Sequence, residues 1–140
     1  MVVVKVKELN RFVDDRGILD QVYNKDLPFK PKRVYVIHGR KDAIRGLHGH
    51  KKEWKMFYVA KGMVYFVTVT MKEHFGKSVT LSEKKPELLI VPPGYFNGMK
   101  PLEDSIIFCF SSLTLEESKK DDIRMPPFSI GKKIWEQEGR

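Results

Sequence analysis

Short runs of β-branched and aromatic residues recur between Gly and Pro turn signals along the whole chain, a pattern that points to an all-β fold. The runs are Val2-Val6, Leu19-Tyr23, Arg33-Ile37, Lys55-Ala60, Val64-Thr70, Ser78-Leu81, Leu88-Val91 and Ser105-Phe110. Within Val64-Thr70, Tyr65, Val67 and Val69 alternate with Phe66, Thr68 and Thr70. That period of two predicts a half-buried strand. Asp15-Arg16-Gly17, Ala60-Lys61-Gly62 and Pro92-Pro93-Gly94 punctuate the runs, Gly supplying positive φ and Pro fixing its own. Helix is scarce: Thr114 to Lys120 predicts one short helix capped by Thr114, with glutamates early and lysines late to suit the helix dipole. Many short strands with little helix predict a jelly-roll β-barrel.

Composition narrows the partners. The chain has 140 residues, no internal repeat and no Gly/Ser linker, so a single domain spanning residues 1–140 is expected. Lys and Arg exceed Asp and Glu by eight, which favours anionic ligands. The aromatics are not interleaved with the basic residues in a recognition pattern, which argues against nucleic acid. Apolar runs such as Ile106 to Phe110 are far too short to cross a bilayer, and Val2 to Val4 is too short for a signal-peptide core; a cytoplasmic protein without a membrane partner is expected. The single cysteine, Cys109, lies in an apolar strand-like run and reads as a buried hydrophobe rather than a nucleophile. Three Asn and two Gln beside many Lys and Glu resemble heat-adapted composition.

The residues with chemical promise cluster in Arg45-Gly46-Leu47-His48-Gly49-His50. On a strand, His48 and His50 project to one face, which in a barrel can be the cavity. Arg45, Lys51, Lys52 and Lys55 surround them, and Gly46 and Gly49 permit close backbone approach.

At this point the chain resembles a cupin. Metal-binding cupins carry HxH, then a Glu and a Gly, and later PxG followed by a third His. Here His48-Gly49-His50 is followed at matching spacing by Lys55 and Gly62, and Pro92-Pro93-Gly94-Tyr95-Phe96 by Asn97. An ammonium and an amide thus replace two of the four ligands, so no metal and no other cofactor is expected. Asp14-Asp15-Arg16-Gly17, Arg45-Gly46-Leu47-His48, Lys55, Phe75-Gly76-Lys77-Ser78-Val79 and Leu89 to Tyr95 are similar to the dTDP-4-dehydrorhamnose 3,5-epimerase family. Pro28 to Tyr35 and Arg45 to Lys52 also resemble the 3,4-ketoisomerases that act on dTDP-4-keto-6-deoxyhexoses.

The resemblance implies an isomerase or epimerase acting on a nucleoside-diphosphate 4-keto-6-deoxy sugar, most naturally dTDP-linked, by removing a proton next to the ketone. It implies His48 as base and Lys55 as the group that stabilises the enolate. Arg45 and Arg16 would bind substrate and pyrophosphate, with Asn97 also in the binding site, and in the ketoisomerases His50 and Tyr35 would also take part. It further implies a homodimer with an exchanged N-terminal strand, through which Arg16 could serve the neighbouring site. The chain departs from the epimerase pattern where that family's tyrosine acid aligns with Phe108. Asn97 replaces a histidine, and beyond Asp122 only Glu136 and Glu138 remain, so the aspartate that orients the base has no evident counterpart. A non-catalytic sugar-nucleotide-binding cupin is therefore the competing expectation. Trp54 and Trp135 read as packing or interface residues, and His38 and His74 as solvated loop residues.

Overall fold

The computed structural model describes residues 2–139. Its strands are β1 (Lys5–Glu8), β2 (Asn10–Asp14), β3 (Gly17–Gln21), β4 (Arg33–Gly39), β5 (Arg45–His50), β6 (Lys55–Lys61), β7 (Met63–Thr70), β8 (Gly76–Ser82), β9 (Glu87–Val91), β10 (Tyr95–Pro101), β11 (Ser105–Ser111) and β12 (Ile123–Arg124). Five strands form one antiparallel sheet in the order β1-β9-β6-β11-β4, and five form a second in the order β12-β5-β10-β7-β8. The fold is the all-β jelly roll that the strand pattern predicts.

Side chains from both sheets fill the interior, Phe57 and Val59 of β6 and Ile107 and Cys109 of β11 meeting Val64 and Phe66 of β7 and Met99 of β10. Phe57 and Phe66 pack with ring centroids 5.3 Å apart. Because strand side chains alternate, the neighbours of these residues face outward, and both outer faces are covered. Leu9, Leu27, Phe29 and Trp54 lie over Met56, Leu88 and Ile90 on the first sheet. Met125, Ile130, Ile134 and Trp135 lie over Leu47, Tyr65, Val67 and Phe96 on the second. β7 is consequently buried on both faces along most of its length, not half-buried as its alternation predicts: the C-terminal segment covers the face that Tyr65, Val67 and Val69 share. Trp135 anchors that cover, its Nε1 donating to the Pro127 carbonyl at 2.6 Å. Trp54 packs against Phe29. Both tryptophans serve packing within this chain.

The short helix α1 (Leu115–Lys119) has Thr114 as its cap, and a reciprocal hydrogen bond from the Thr114 N–H to the Glu117 carboxylate completes a capping box. Strand bounds differ at the start of the chain. β1 begins at Lys5 instead of Val2, and β2 and β3 pair only with each other, closed through Asp14–Gly17. His38 lies on β4 instead of in a loop, though exposed as expected; His74 is an exposed turn residue.

Candidate functional site

β5 carries the site, and a bulge sets which of its side chains point inward. Opposite β10, His48 pairs with Asn97 but Arg45 pairs with Met99, so three steps along β5 match two along β10. In a regular strand residues three apart face opposite ways. The extra residue restores Arg45 to the face of His48. Gly46 makes this possible: its φ is +127°, and a Cβ there would stand 2.7 Å from the Gly98 Cα, a conformation and an approach that other residues resist. Gly49 likewise leaves room for the Phe96 ring. The close approach expected of both glycines is present.

A cavity of about 170 Å³ opens between the sheets, lined by Tyr35 and Ile37 of β4, Arg45 and His48 of β5, Lys55 and Phe57 of β6, and Asn97, Gly98 and Met99 of β10. Outside it lies a groove of about 540 Å³, bounded by Arg33, Tyr35, His48, His50, Lys55, Asp122 and Arg124 with the helix residues Leu115, Ser118 and Lys119. Tyr35, His48 and Lys55 border both. A larger depression of about 950 Å³, between β8 and the C-terminal segment, contains no histidine; its chemistry is that of a surface cleft.

The structure therefore brings His48, His50, Lys55, Tyr35, Arg45 and Asn97 together. Arg16 is not among them. It sits at the exposed tip of the β2–β3 hairpin and pairs with Asp14.

The two imidazoles are held differently. His50 is buried, its Nδ1 donating to the Asp121 carbonyl at 2.9 Å, which leaves Nε2 as the lone-pair nitrogen of the neutral ring. His48 is half-buried, with Nδ1 3.5 Å from an Asp122 carboxylate oxygen. Burial lowers the His48 pKa below its ordinary value while Asp122 pulls it up and Lys55 pushes it down. Burial also lowers His50, with Lys55 acting in the same direction and Glu53 against it. Near neutral pH both rings are therefore unprotonated and able to accept a proton.

Asp122 corrects the sequence reading. The carboxylates beyond Asp122 do not supply the orienting group; Asp122 itself does, because β12 pairs with β5, Arg124 opposite His48, and so delivers Asp122 to the imidazole. Asp122 also accepts from the Arg124 Nε at 3.0 Å. Asp121 ties down the turn after β5, accepting from the backbone N–H of Lys51, Lys52 and Glu53, each at 2.9 Å.

Phe108 requires a second correction. On β11 it is Ile107 and Cys109 that face the interior, while Phe108 packs on the outer face against Tyr58, centroids 6.4 Å apart. The side chain does not border the cavity, so a phenylalanine here removes no proton donor from it.

Tyr35 does border the cavity. Burial pushes its phenol strongly up, so it stays protonated as a donor, with the Arg33 guanidinium 4.9 Å from the ring centroid. Three other tyrosines are committed elsewhere: Tyr58 bonds Asp20, Tyr65 bonds the Ile134 carbonyl and Tyr95 reaches the Val2 carbonyl, while Tyr23 is exposed.

Sequence reasoning also missed Arg33, Glu53 and Arg124. Glu53 left a signal, the one acid inside the basic run Lys51 to Lys55. Among the described residues no three His, Cys, Asp or Glu side chains converge in a way that could hold a metal.

Known proteins are similar to this chain in sequence and fold. The spore coat polysaccharide biosynthesis protein SpsL of Bacillus subtilis (strain 168) is 24% identical over 132 residues, covering 88% of this chain and 87% of the relative. The dTDP-4-dehydrorhamnose 3,5-epimerase of Sulfolobus tokodaii superposes with a TM-score of 0.77 at 28% identity, over 89% of this chain and 77% of that one. QdtA, a sugar 3,4-ketoisomerase from Thermoanaerobacterium thermosaccharolyticum solved with TDP, superposes at 0.75 with 27% identity, over 89% and 90% respectively. Residues 3–125, which include every strand described above, match the family described as FdtA: WxcM-like, C-terminal, and the chain belongs to that family.

Proposed function

We propose that this chain isomerises a nucleoside-diphosphate 4-keto-6-deoxy sugar, dTDP-linked as in the ligands of its structural neighbours, by removing a proton from the carbon beside the ketone. The observation that carries the reading is the meeting of two unprotonated imidazoles, a protonated phenol and the Lys55 ammonium around one cavity mouth. His48 acts as base on the sugar carbon. Lys55 faces the oxygen where enolate charge develops, and Arg45 with Asn97 holds the substrate. No metal is required, because Lys55 supplies the positive charge at the oxygen. The working compartment is the cytoplasm, where a reduced thiol such as Cys109 is ordinary.

Of the two reactions, migration of the ketone from C4 to C3 fits better than 3,5-epimerisation. Keto migration takes the C3 proton, passes through an enediol and returns a proton to C4, while the C3 oxygen loses a proton and the C4 oxygen gains one. His48, His50 and Tyr35 share one groove, as proton exchange on adjacent atoms demands. Epimerisation needs an acid on the opposite sugar face, and the phenol that lines the cavity, Tyr35, shares its groove with both imidazoles.

We also propose a homodimer in which the N-terminal region is exchanged and Arg16 reaches the partner's groove. β1 itself pairs with β9 of the same chain. The β2–β3 hairpin, however, pairs with neither large sheet and exposes Phe12, Val13, Ile18 and Leu19, apolar area of the kind that interfaces cover.

Incubation with dTDP-4-keto-6-deoxyglucose in deuterated water, followed by NMR, tests the activity. Keto migration predicts a C3 ketone with deuterium at C4, lost in His48→Ala. Deuterium at C3 and C5 of an inverted sugar would instead establish epimerisation. Nucleotide binding without exchange in any variant would reduce the protein to a binding module and refute the proposal. Light scattering of the full chain, with and without Arg16→Glu, tests the dimer.

A further inference from the structure

Glu53 is the most deeply buried acid of the site, its side chain fully shielded from solvent. Such a carboxylate is strongly destabilising unless its charge is met. Neither oxygen has a hydrogen-bond donor; the backbone N–H groups of this turn are taken by Asp121. Two cations stand near one oxygen, the Lys55 Nζ at 3.5 Å and the Arg33 guanidinium at 3.9 Å. Both belong to residues that border the groove.

The other charged and titratable groups around this point are Tyr35 on β4, Arg45, His48 and His50 on β5, Cys109 on β11 and Asp121 before β12. Arg45 is a fixed cation. Left to itself, an ammonium on a flexible four-carbon stem would turn away from these neighbours toward water. Glu53 lies two residues before Lys55, where the chain enters β6, and is itself immobilised by burial.

We infer that Glu53 is a positioning residue that holds the Lys55 ammonium, with Arg33 beside it, at the mouth shared by groove and cavity. Its catalytic meaning rests on the proposed isomerase reading; the pairing itself does not.

Competitive acetylation of the lysines with acetic anhydride, read by mass spectrometry, follows Lys55 without any substrate. In Glu53→Gln, acetylation of Lys55, whose side chain is 11% exposed in the native chain, should rise several-fold relative to the remaining lysines as the released ammonium turns toward water. The NMR titration midpoint of His50 should rise at the same time, since the departing Lys55 ammonium lowers that ring more than Glu53 raises it. Isotope exchange into the keto sugar should slow through kcat, with dTDP affinity unchanged, and Glu53→Asp should recover part of it. Thermal melting establishes that each variant is folded. If Glu53→Gln does not fold, Glu53→Asp, whose shorter side chain withdraws the carboxylate, must show the same changes in smaller measure. A folded Glu53 variant with Lys55 acetylation and His50 titration as in the unmutated chain overturns the inference. Altered acetylation in a chain whose unmutated form exchanges no deuterium would overturn the proposed function and leave the pairing standing.

Discussion

Replacing Asp121 tests how the site is held together. Its carboxylate accepts three backbone N–H bonds at 2.9 Å from the turn that joins the histidine strand to Lys55. Lys51 and Lys52 are exposed, so water can take over their N–H groups in Asp121→Ala; Glu53 is buried and its N–H is left unmet. A hydrogen bond to a charged acceptor contributes roughly 1.5–3 kcal/mol, and an orphaned buried donor costs about 1–3 kcal/mol. With two bonds partly replaced by water, the loss should be on the order of 3–4 kcal/mol for Ala and roughly half of that for Asn, which keeps one acceptor oxygen. That is a large part of the ~5–15 kcal/mol available to a domain of this kind.

The pH dependence of this loss has a definite sign. Burial alone would raise the Asp121 pKa, but the N–H groups of Lys52, Lys51 and Glu53 outweigh it and hold the carboxyl below its ordinary value. The stability it contributes is complete above the unfolded-state value of ~3.9 and is lost as the pH falls through the folded one. Urea unfolding at pH 7 and at pH 3 should therefore show a gap between the unmutated chain and Asp121→Ala that narrows in acid. A gap under about 1 kcal/mol at pH 7, below the low end for a single charged hydrogen bond, would refute the reasoning. So would a gap that stays constant down to pH 3.

Three other outcomes are expected. Asp122→Asn should move the NMR titration of His48, and the acid limb of isotope exchange, to lower pH, because the carboxylate is what opposes burial there; a shift upward would show that Asp122 does not act on the ring. Gly46→Ala should cost about 2 kcal/mol or more in thermal or urea unfolding, given its positive φ and the Gly98 backbone at 2.7 Å, and unchanged stability would mean that the bulge is not required. Cys109, whose thiol burial pushes up to about 12, should resist a disulfide reagent in the native protein and react promptly in urea; rapid native labelling would contradict its place in the core.

The sequence by itself determined the strand content, the capped helix and the segment from Arg45 to His50, because these follow from local rules. Turn residues and alternation mark strands, Thr114 with Glu117 marks a helix start, and two histidines at spacing two share a face on any strand. It also held the resemblance that named the family group, and the replacement of two cupin metal ligands by Lys55 and Asn97. Only the tertiary structure decided which side chains the cavity receives. Arg45 belongs to it through a bulge that exists relative to β10, and Asp122 through a pairing of β12 with β5 that joins residues some 75 positions apart. Phe108 leaves the question of the proton donor because the pleat of β11 points it outward, and Tyr35 enters because β4 lies across the cavity mouth. Burial decided the rest: whether Glu53 is a surface charge or a pinned counter-ion depends on what covers it, and no local stretch of sequence carries that information.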